Sequence, residues 1–344
     1  MKLLFEHSSF TAVALTDAVN EIAHQPGRLS EMGLFRATSV STTEVAIERI
    51  GNRLQLVRQT PRGAPGEVRD MPKRSLNKLA IPHFQRDWHV YADEVEGVRD
   101  FGSEGNLKTF QTLVAEKMGT HIADFEVTEE HQRLGAVQGK VVYKGGFELD
   151  LFATFGASEP APINFDLAAA DPVDGALRRK CVSVIRKMRA ALGGAPFDHV
   201  HAFVGDDFFD DLLMHREVRE TYKGWSAATI LRDSYAGKSR ASNPIFEYGG
   251  IVWENYGAVN TDGDAALIGI DTDKARFFPV GTNVFRTYYA PADYIESVNM
   301  LGKRLYAKQW KMSNDKGMNG EVQMNALQIC TRPAVLMSGI RTAA

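Results

Sequence analysis

The sequence predicts an α+β fold built as an elongated subunit, and three observations carry that reading. One apolar stripe runs at helical spacing for roughly 35 residues in the first half of the chain, far beyond the ordinary helix length of about 10 to 14. Strand-like alternation dominates residues 44–58 and returns in the last hundred residues. Between them, a short apolar strand flanked by two helices indicates a small α/β subdomain. The frame is ordinary: 344 residues, 44% hydrophobic, 24% charged and 10% aromatic. Collagen-like, low-complexity and largely disordered chains are excluded.

Taken in order, residues 1–40 mix short apolar pieces around Pro26-Gly27, with a short helix expected over 16–24 and then an arm with little core of its own. Val45 and Ile47 share one strand face, as do Leu54 and Leu56 beyond Gly51. The tract from Pro61 to Gly66 is turn chemistry, and a second extended stretch runs back towards Trp88. Within 51–80 lie Arg53, Arg58, Arg62, Arg69, Lys73, Arg74 and Lys78 against only Glu67 and Asp70. That is a local charge of +5 in a chain whose total is −3. Such charge can simply keep a solvated edge from aggregating. On a long hairpin it can also meet an acidic surface of a neighbouring molecule.

The long helix is expected to begin at Ser103, a good N-cap, with Glu104 in its first turn. Leu107, Phe110, Val114, Met118, Ile122 and Phe125 form the stripe, which Leu134 and Val137 continue. From Glu104 to about Gln138 the helix spans about 50 Å; Gly119 and Gly135 are the places where it could break. Strand-like pieces follow at 139–155 around Gly145-Gly146. Asp171-Pro172 then opens a second helix with the stripe Leu177, Cys181, Ile185, Met188 and Leu192, stopped by Gly193-Gly194. A strand at Val200–Val204, a helix near Asp207–His215 and a polar loop at 222–244 come next. Strands are expected at 245–253, 265–270, 275–280, 303–311 and 321–329.

Catalytic patterns fail their spacing tests. Gly237-Lys238-Ser239 resembles the end of a phosphate loop, but Arg232 stands where the leading Gly is needed. Asn260, Asp262, Asp264 and Asp271 fit calcium-loop positions, yet Ala265 replaces the obligatory Gly, and a turn at Asp262-Gly263 is the simpler reading. His199 and His201 share a strand face with Asp206 and Asp207 following, so a metal-dependent enzyme using His199, His201 and Asp206 is the alternative to weigh. Two such histidines are more often packing or surface residues. No nucleophile elbow, zinc-protease helix or dinucleotide fingerprint is found. The aromatics Phe277, Phe278, Phe285, Tyr288, Tyr289 and Tyr294 lack the basic groove of a base-stacking platform and read as core or interface packing. No catalytic residue, cofactor or metal is assigned. The overall acidity argues against sequence-specific nucleic-acid binding. No apolar run reaches the roughly 18 residues of a membrane helix. The N-terminus does not read as a signal peptide, and Cys181 and Cys330 read as reduced core thiols of a cytoplasmic protein.

Certain strings in this order carry a family resemblance. They are Ser41-Thr42-Thr43-Glu44-Val45, Val204-Gly205-Asp206-Asp207-Phe208-Phe209-Asp210, Phe246-Glu247-Tyr248-Gly249-Gly250-Ile251, Phe278-Pro279-Val280-Gly281-Thr282 and Tyr289-Ala290-Pro291-Ala292-Asp293. Together they resemble the major capsid protein E family of tailed bacteriophages, the lambda-type head protein, over about residues 30 to 338. The resemblance implies a Hong Kong 97-type phage capsid fold. Residues 1–40 would be the N-terminal arm and 41–90 an extended β-hairpin loop. Residues 91–160 would start the peripheral domain with its spine helix, 161–290 would be the axial α/β domain, and 291–344 would return strands to the peripheral domain. It further implies a non-enzymatic major head protein of a phage or prophage, assembled in the host cytoplasm into hexamers and pentamers of an icosahedral shell around double-stranded DNA. Its partners would be copies of itself, with separate scaffolding, portal and decoration proteins. In such shells the extended loop lies on an adjacent subunit, which gives the seven basic residues from Arg53 to Lys78 an inter-subunit role.

Overall fold

A computed structural model describes residues 16, 27–49, 75–94, 110–169, 171–223, 244–257, 259–260 and 267–342. In chain order the first strands are β1 (Arg36–Ser39), β2 (Glu44–Arg49), β3 (Ser75–Ala80) and β4 (His83–Tyr91). The long helix Phe110–Gln138 precedes β5 (Lys140–Val142), β6 (Glu148–Asp150) and β7 (Ile163–Asn164). The helix Ala176–Ala191, β8 (His199–Val204) and the helices Asp206–Met214 and Arg216–Lys223 follow. Next come β9 (Ile245–Tyr248), β10 (Ile251–Asn255), β11 (Val259–Asn260), β12 (Leu267–Ile268), β13 (Lys274–Val280) and β14 (Phe285–Tyr289). The described chain closes with β15 (Tyr306–Lys311), β16 (Gly317–Cys330) and β17 (Met337–Ile340). The fold is mixed helix and sheet, and its residues group into two compact units.

The first unit takes residues 1–47, 78–133 and 286–329. Its sheet runs β1-β14-β16-β15, with β4 also on β16. β16, 14 residues long, is the axis of this sheet: over Met318–Gln323 it pairs antiparallel with β15 on one edge and with β4 on the other, and it also pairs with β14. The helix stripe is what covers it: Val114, Met118, Ile122 and Phe125 pack with Trp88, Val90, Leu305, Ala307, Val322 and Met324 in one core. Glycine at 320 is required by this packing, since a Cβ there would lie 2.2 Å from the Trp88 ring. Thr16 ties the early chain to the same unit through hydrogen bonds in both directions with the Ala307 backbone, at 3.2 and 3.3 Å.

The second unit takes residues 48–77, 134–285 and 330–344. Its sheet runs β7-β17-β13-β8-β10-β9. β8 is central, parallel to β10 and antiparallel to β13, so it is apolar on both faces: Val200, Ala202, Phe203 and Val204 are all buried. One face holds an aromatic core in which Trp253 meets Phe165, Phe277 and Phe208 at ring distances of 5.8, 5.4 and 6.0 Å. The helix Ala176–Ala191 adds Leu177, Cys181, Val184 and Met188.

Several local expectations need correction. The helix expected at Asp171 is described as α-helix only from Ala176, with Gly175 in the left-handed region at φ 75°; its first N–H groups are capped by Glu217 and not by Asp171, Leu177 and Arg178 donating to that carboxylate at 3.0 and 3.3 Å. The strand expected over 147–155 turns helical at Leu151–Thr154, where Asp150 caps the Ala153 N–H at 3.0 Å. The single strand expected at 245–253 is a hairpin, turned by Gly249 and Gly250 at φ 65° and 79°. Gly119 and Gly135 do not break the long helix; a Cβ at Gly135 would lie 2.9 Å from the backbone of Lys140 and Val141. Apart from these corrections, β17 in the second unit pairs with β13 and β7. Apart from Thr16, the expected helix at 16–24 lies outside the described residues, as do the helix start at Ser103, most of the loop at 222–244 and the turn at Asp262-Gly263.

Candidate functional site

β2 and β3 form a two-stranded sheet, the base of the expected hairpin. Its entry is held by local bonds: the Thr42 hydroxyl donates to the Glu44 carbonyl at 2.6 Å, and the Ile81 N–H to the Thr43 carbonyl at 2.9 Å. Val45, Ile47 and Leu79 turn inward while Glu44, Ala46, Lys78 and Ala80 face solvent, the alternation the sequence announced. Asn77 donates to the Thr154 carbonyl at 2.8 Å. Lys78 is thus an exposed cation at the hairpin base. Arg53, Arg58, Arg62, Arg69, Lys73 and Arg74 lie outside the described residues.

The alternative site is taken apart by the geometry. His199 and His201 do share a strand face, with ring centroids 6.0 Å apart. His201 is buried against Phe203 and Phe278, and its Nε2 is 3.0 Å from the buried Glu254 carboxylate. Asp206 heads the next helix and accepts instead from Asn255 Nδ2 at 2.8 Å. Among the described residues no group of three or more His, Cys, Asp or Glu is arranged to hold a metal. His201 is core packing and His199 is half-buried at the start of the strand, and the metal-dependent enzyme reading has no support. The two thiols are likewise inert: both are buried, and burial pushes Cys181 and Cys330 up to about 12. Among the described residues no helix is long and apolar enough to cross a membrane.

What residue patterns did not announce is a buried polar network in the first unit. Glu129 is fully buried on the long helix, yet its carboxylate accepts from Arg133 Nη2 at 2.7 Å, the Tyr289 hydroxyl at 2.7 Å, Arg304 Nε at 3.1 Å and Gln328 Nε2 at 3.5 Å. Arg304 also reaches Glu126 at 3.5 Å, so two carboxylates face two guanidinium groups. Burial alone would raise the Glu129 carboxyl; the charges of Arg133 and Arg304, with the Tyr289 hydroxyl, outweigh it and hold the group below the usual carboxylate value. The same surroundings push the Tyr289 hydroxyl above its usual range, chiefly through burial and then the Glu129 charge. A signal was present: Met118, Ile122, Phe125, Glu129, Gln132 and Ala136 keep the 4-3-4-3-4 spacing of one buried stripe, with polar residues at two of its positions. The network locks helix to sheet.

These features describe a scaffold, not a catalytic pocket, and comparison with known proteins agrees. The model of the family phage major capsid protein E matches residues 11–341. The major capsid protein of Salmonella phage Felix O1 (isolate Felix O1-VT1) is 26% identical over 359 residues, covering 96% of this chain and 96% of that protein. That of Pseudomonas phage KPP10 is 25% identical over 347 residues, covering 96% and 97%. In fold, the chain is similar to a crystal structure described as a capsid protein of a prophage of E. coli CFT073, with TM-score 0.60, 14% identity and coverage of 96% and 99%. The capsid of Myoviridae phage XM1 gives TM-score 0.51 at 9% identity, covering 99% and 98%. On the strength of a match that spans nearly its full length, the chain belongs to the phage major capsid protein E family.

Proposed function

We propose that this subunit closes, as hexamers and pentamers, into an icosahedral shell around double-stranded DNA, with its +5 hairpin seated on an acidic surface of the adjacent copy. Its membership makes it a major capsid protein, a structural component of a tailed-phage or prophage head and not an enzyme. The finer reading is a Hong Kong 97-type subunit. The first unit, a long helix on a five-stranded sheet, suits the peripheral domain; the six-stranded second unit suits the axial domain; residues 1–40 serve as arm and 41–90 as extended loop. Scaffolding, portal and decoration proteins are separate chains, and assembly takes place in the host cytoplasm before the protein enters the virion.

The single observation that supports the contact is the paired base of β2 and β3, joined by residues 50–74, which carry Arg53, Arg58, Arg62, Arg69, Lys73 and Arg74. Subunits in a ring meet through unlike patches, so a basic segment on a chain of net charge −3 supplies the needed asymmetry. The test is charge reversal, Arg58→Glu with Arg62→Glu and Arg69→Glu. The triple variant should stay folded, with unchanged circular dichroism and melting, and should fail to form particles at a concentration where the parent chain assembles. Particles of normal yield from the triple variant would remove the hairpin contact from the account.

A further inference from the structure

Four large apolar side chains stand exposed within seven residues of the first unit: Ile295 at 88%, Val298 at 63%, Met300 at 55% and Leu301 at 67%. Singly exposed apolar residues are normal on any protein, but a contiguous run marks a contact surface. This run joins β14 to β15, and it is braced from beneath. A 3₁₀ turn at Ile295–Ser297 is closed by Ser297 N–H to the Tyr294 carbonyl at 2.9 Å, and Met300 N–H reaches the Ser297 carbonyl at 3.1 Å. Tyr294 is buried against Tyr306 and carries Lys308 over its ring at 5.0 Å, while Lys308 also pairs with Glu296 at 3.1 Å. Gly302 anchors the far end: its N–H donates to the Val40 carbonyl at 2.9 Å, and a Cβ there would lie 2.2 Å from the Tyr289 carbonyl oxygen. Glu296 within the run is thus paired with Lys308, and the apolar side chains are held outward on a fixed frame.

We infer that residues 295–301 form a homotypic contact, in which this loop meets the same loop of another copy of the chain around a rotation axis of the assembled shell. The inference rests on the shell reading above, and it goes beyond the hairpin contact in both place and chemistry. Like meets like here because the other strongly exposed apolar side chains among the described residues, such as Phe147, Val173 and Met214, are scattered singly or in pairs and offer no matching run. The four side chains expose on the order of 500 Å² per copy, at the upper end of what monomers leave bare. Two copies would bury roughly 1,000 Å² together, short of the roughly 1,200–2,000 Å² of a stable free-standing pair, so the contact needs the other interfaces of the shell beside it. The contact therefore forms in the shell and not in a free dimer.

Introduced thiols test this cleanly, because both native cysteines are buried. Val298→Cys and Leu301→Cys subunits are assembled, oxidised with copper phenanthroline and run on a non-reducing gel beside unassembled subunits. The expected result is a band at twice the 38.1 kDa subunit mass from particles, in at least one of the two variants, and none from unassembled protein. Particles that form normally and yield only monomer bands overturn the loop contact while leaving the shell reading intact; failure of the parent chain to form particles at all overturns both. A second arm covers variants that do not assemble. Ile295→Asp with Leu301→Asp should leave circular dichroism and melting unchanged and raise the concentration needed for assembly at least tenfold, and an unchanged threshold overturns the inference.

Discussion

Replacing Glu129 with Gln keeps the shape of the side chain and removes its charge, so it isolates what the buried network contributes. Glu129 accepts hydrogen bonds from two guanidinium groups, a tyrosine hydroxyl and an amide, and none of its surface reaches water. Removing one partner of a buried ion pair costs about 3–5 kcal/mol, because the other charge is left uncompensated. Arg304 is 22% exposed and keeps Glu126 at 3.5 Å, which places the expected cost near the lower end, about 3 kcal/mol. For a body of this size that corresponds to a melting point lower by about 6–12 °C. The pH dependence carries the sign. A carboxyl depressed in the folded state contributes stability above its unfolded value near 4.3 and loses it as pH falls through the lower folded value. The gap between parent and Glu129→Gln should therefore be full at pH 7 and narrow below about pH 4. Differential scanning calorimetry of soluble subunits at a series of pH values reads both. A melting point within about 2 °C of the parent at pH 7, or a gap that does not narrow in acid, would refute the reasoning.

Three further outcomes follow from the same geometry. Gln132 is fully buried with neither side-chain polar atom hydrogen-bonded among the described residues, so Gln132→Leu should raise stability by about 1–2 kcal/mol, read as a higher urea midpoint. Trp253 sits among Phe165, Phe208 and Phe277 and donates its indole N–H to the Tyr248 carbonyl at 3.1 Å; Trp253→Ala should cost about 3–5 kcal/mol in chemical denaturation, and a loss under 1 kcal/mol would mean the aromatic core is misassigned. With both thiols pushed up to about 12, a disulfide reagent at pH 8 should label neither Cys181 nor Cys330 in the folded subunit and both in denaturant.

How far the sequence could be read depended on whether one residue's neighbours lie close along the chain. The stripe Val114, Met118, Ile122 and Phe125 announces the long helix because helical spacing is a local property, and the structure buries all four. Val200–Val204 reads as a strand for the same reason. Asp171 does not cap the second helix because its first N–H groups, Leu177 and Arg178, are taken by Glu217, 40 and 39 positions away, and no local rule contains that contact. Glu129 falls on the apolar stripe, but its partners Tyr289, Arg304 and Gln328 lie 160 to 199 positions away. The exposed run 295–301 escaped because it follows no helical or strand period, and its exposure is set by packing that the local sequence does not contain. The family was legible through the order of five short strings, none of them specific alone. The metal reading of His199 and His201 dissolved because Glu254, on the adjacent strand, occupies the imidazole.

The central claim is that copies of this chain build a shell, and electron microscopy of the purified 344-residue chain, paired with sedimentation velocity at moderate salt, tests it most directly. The account predicts rings, tubes or closed shells, with sedimentation far above that of a 38.1 kDa particle. A single 38.1 kDa monomer at every concentration and salt would contradict it.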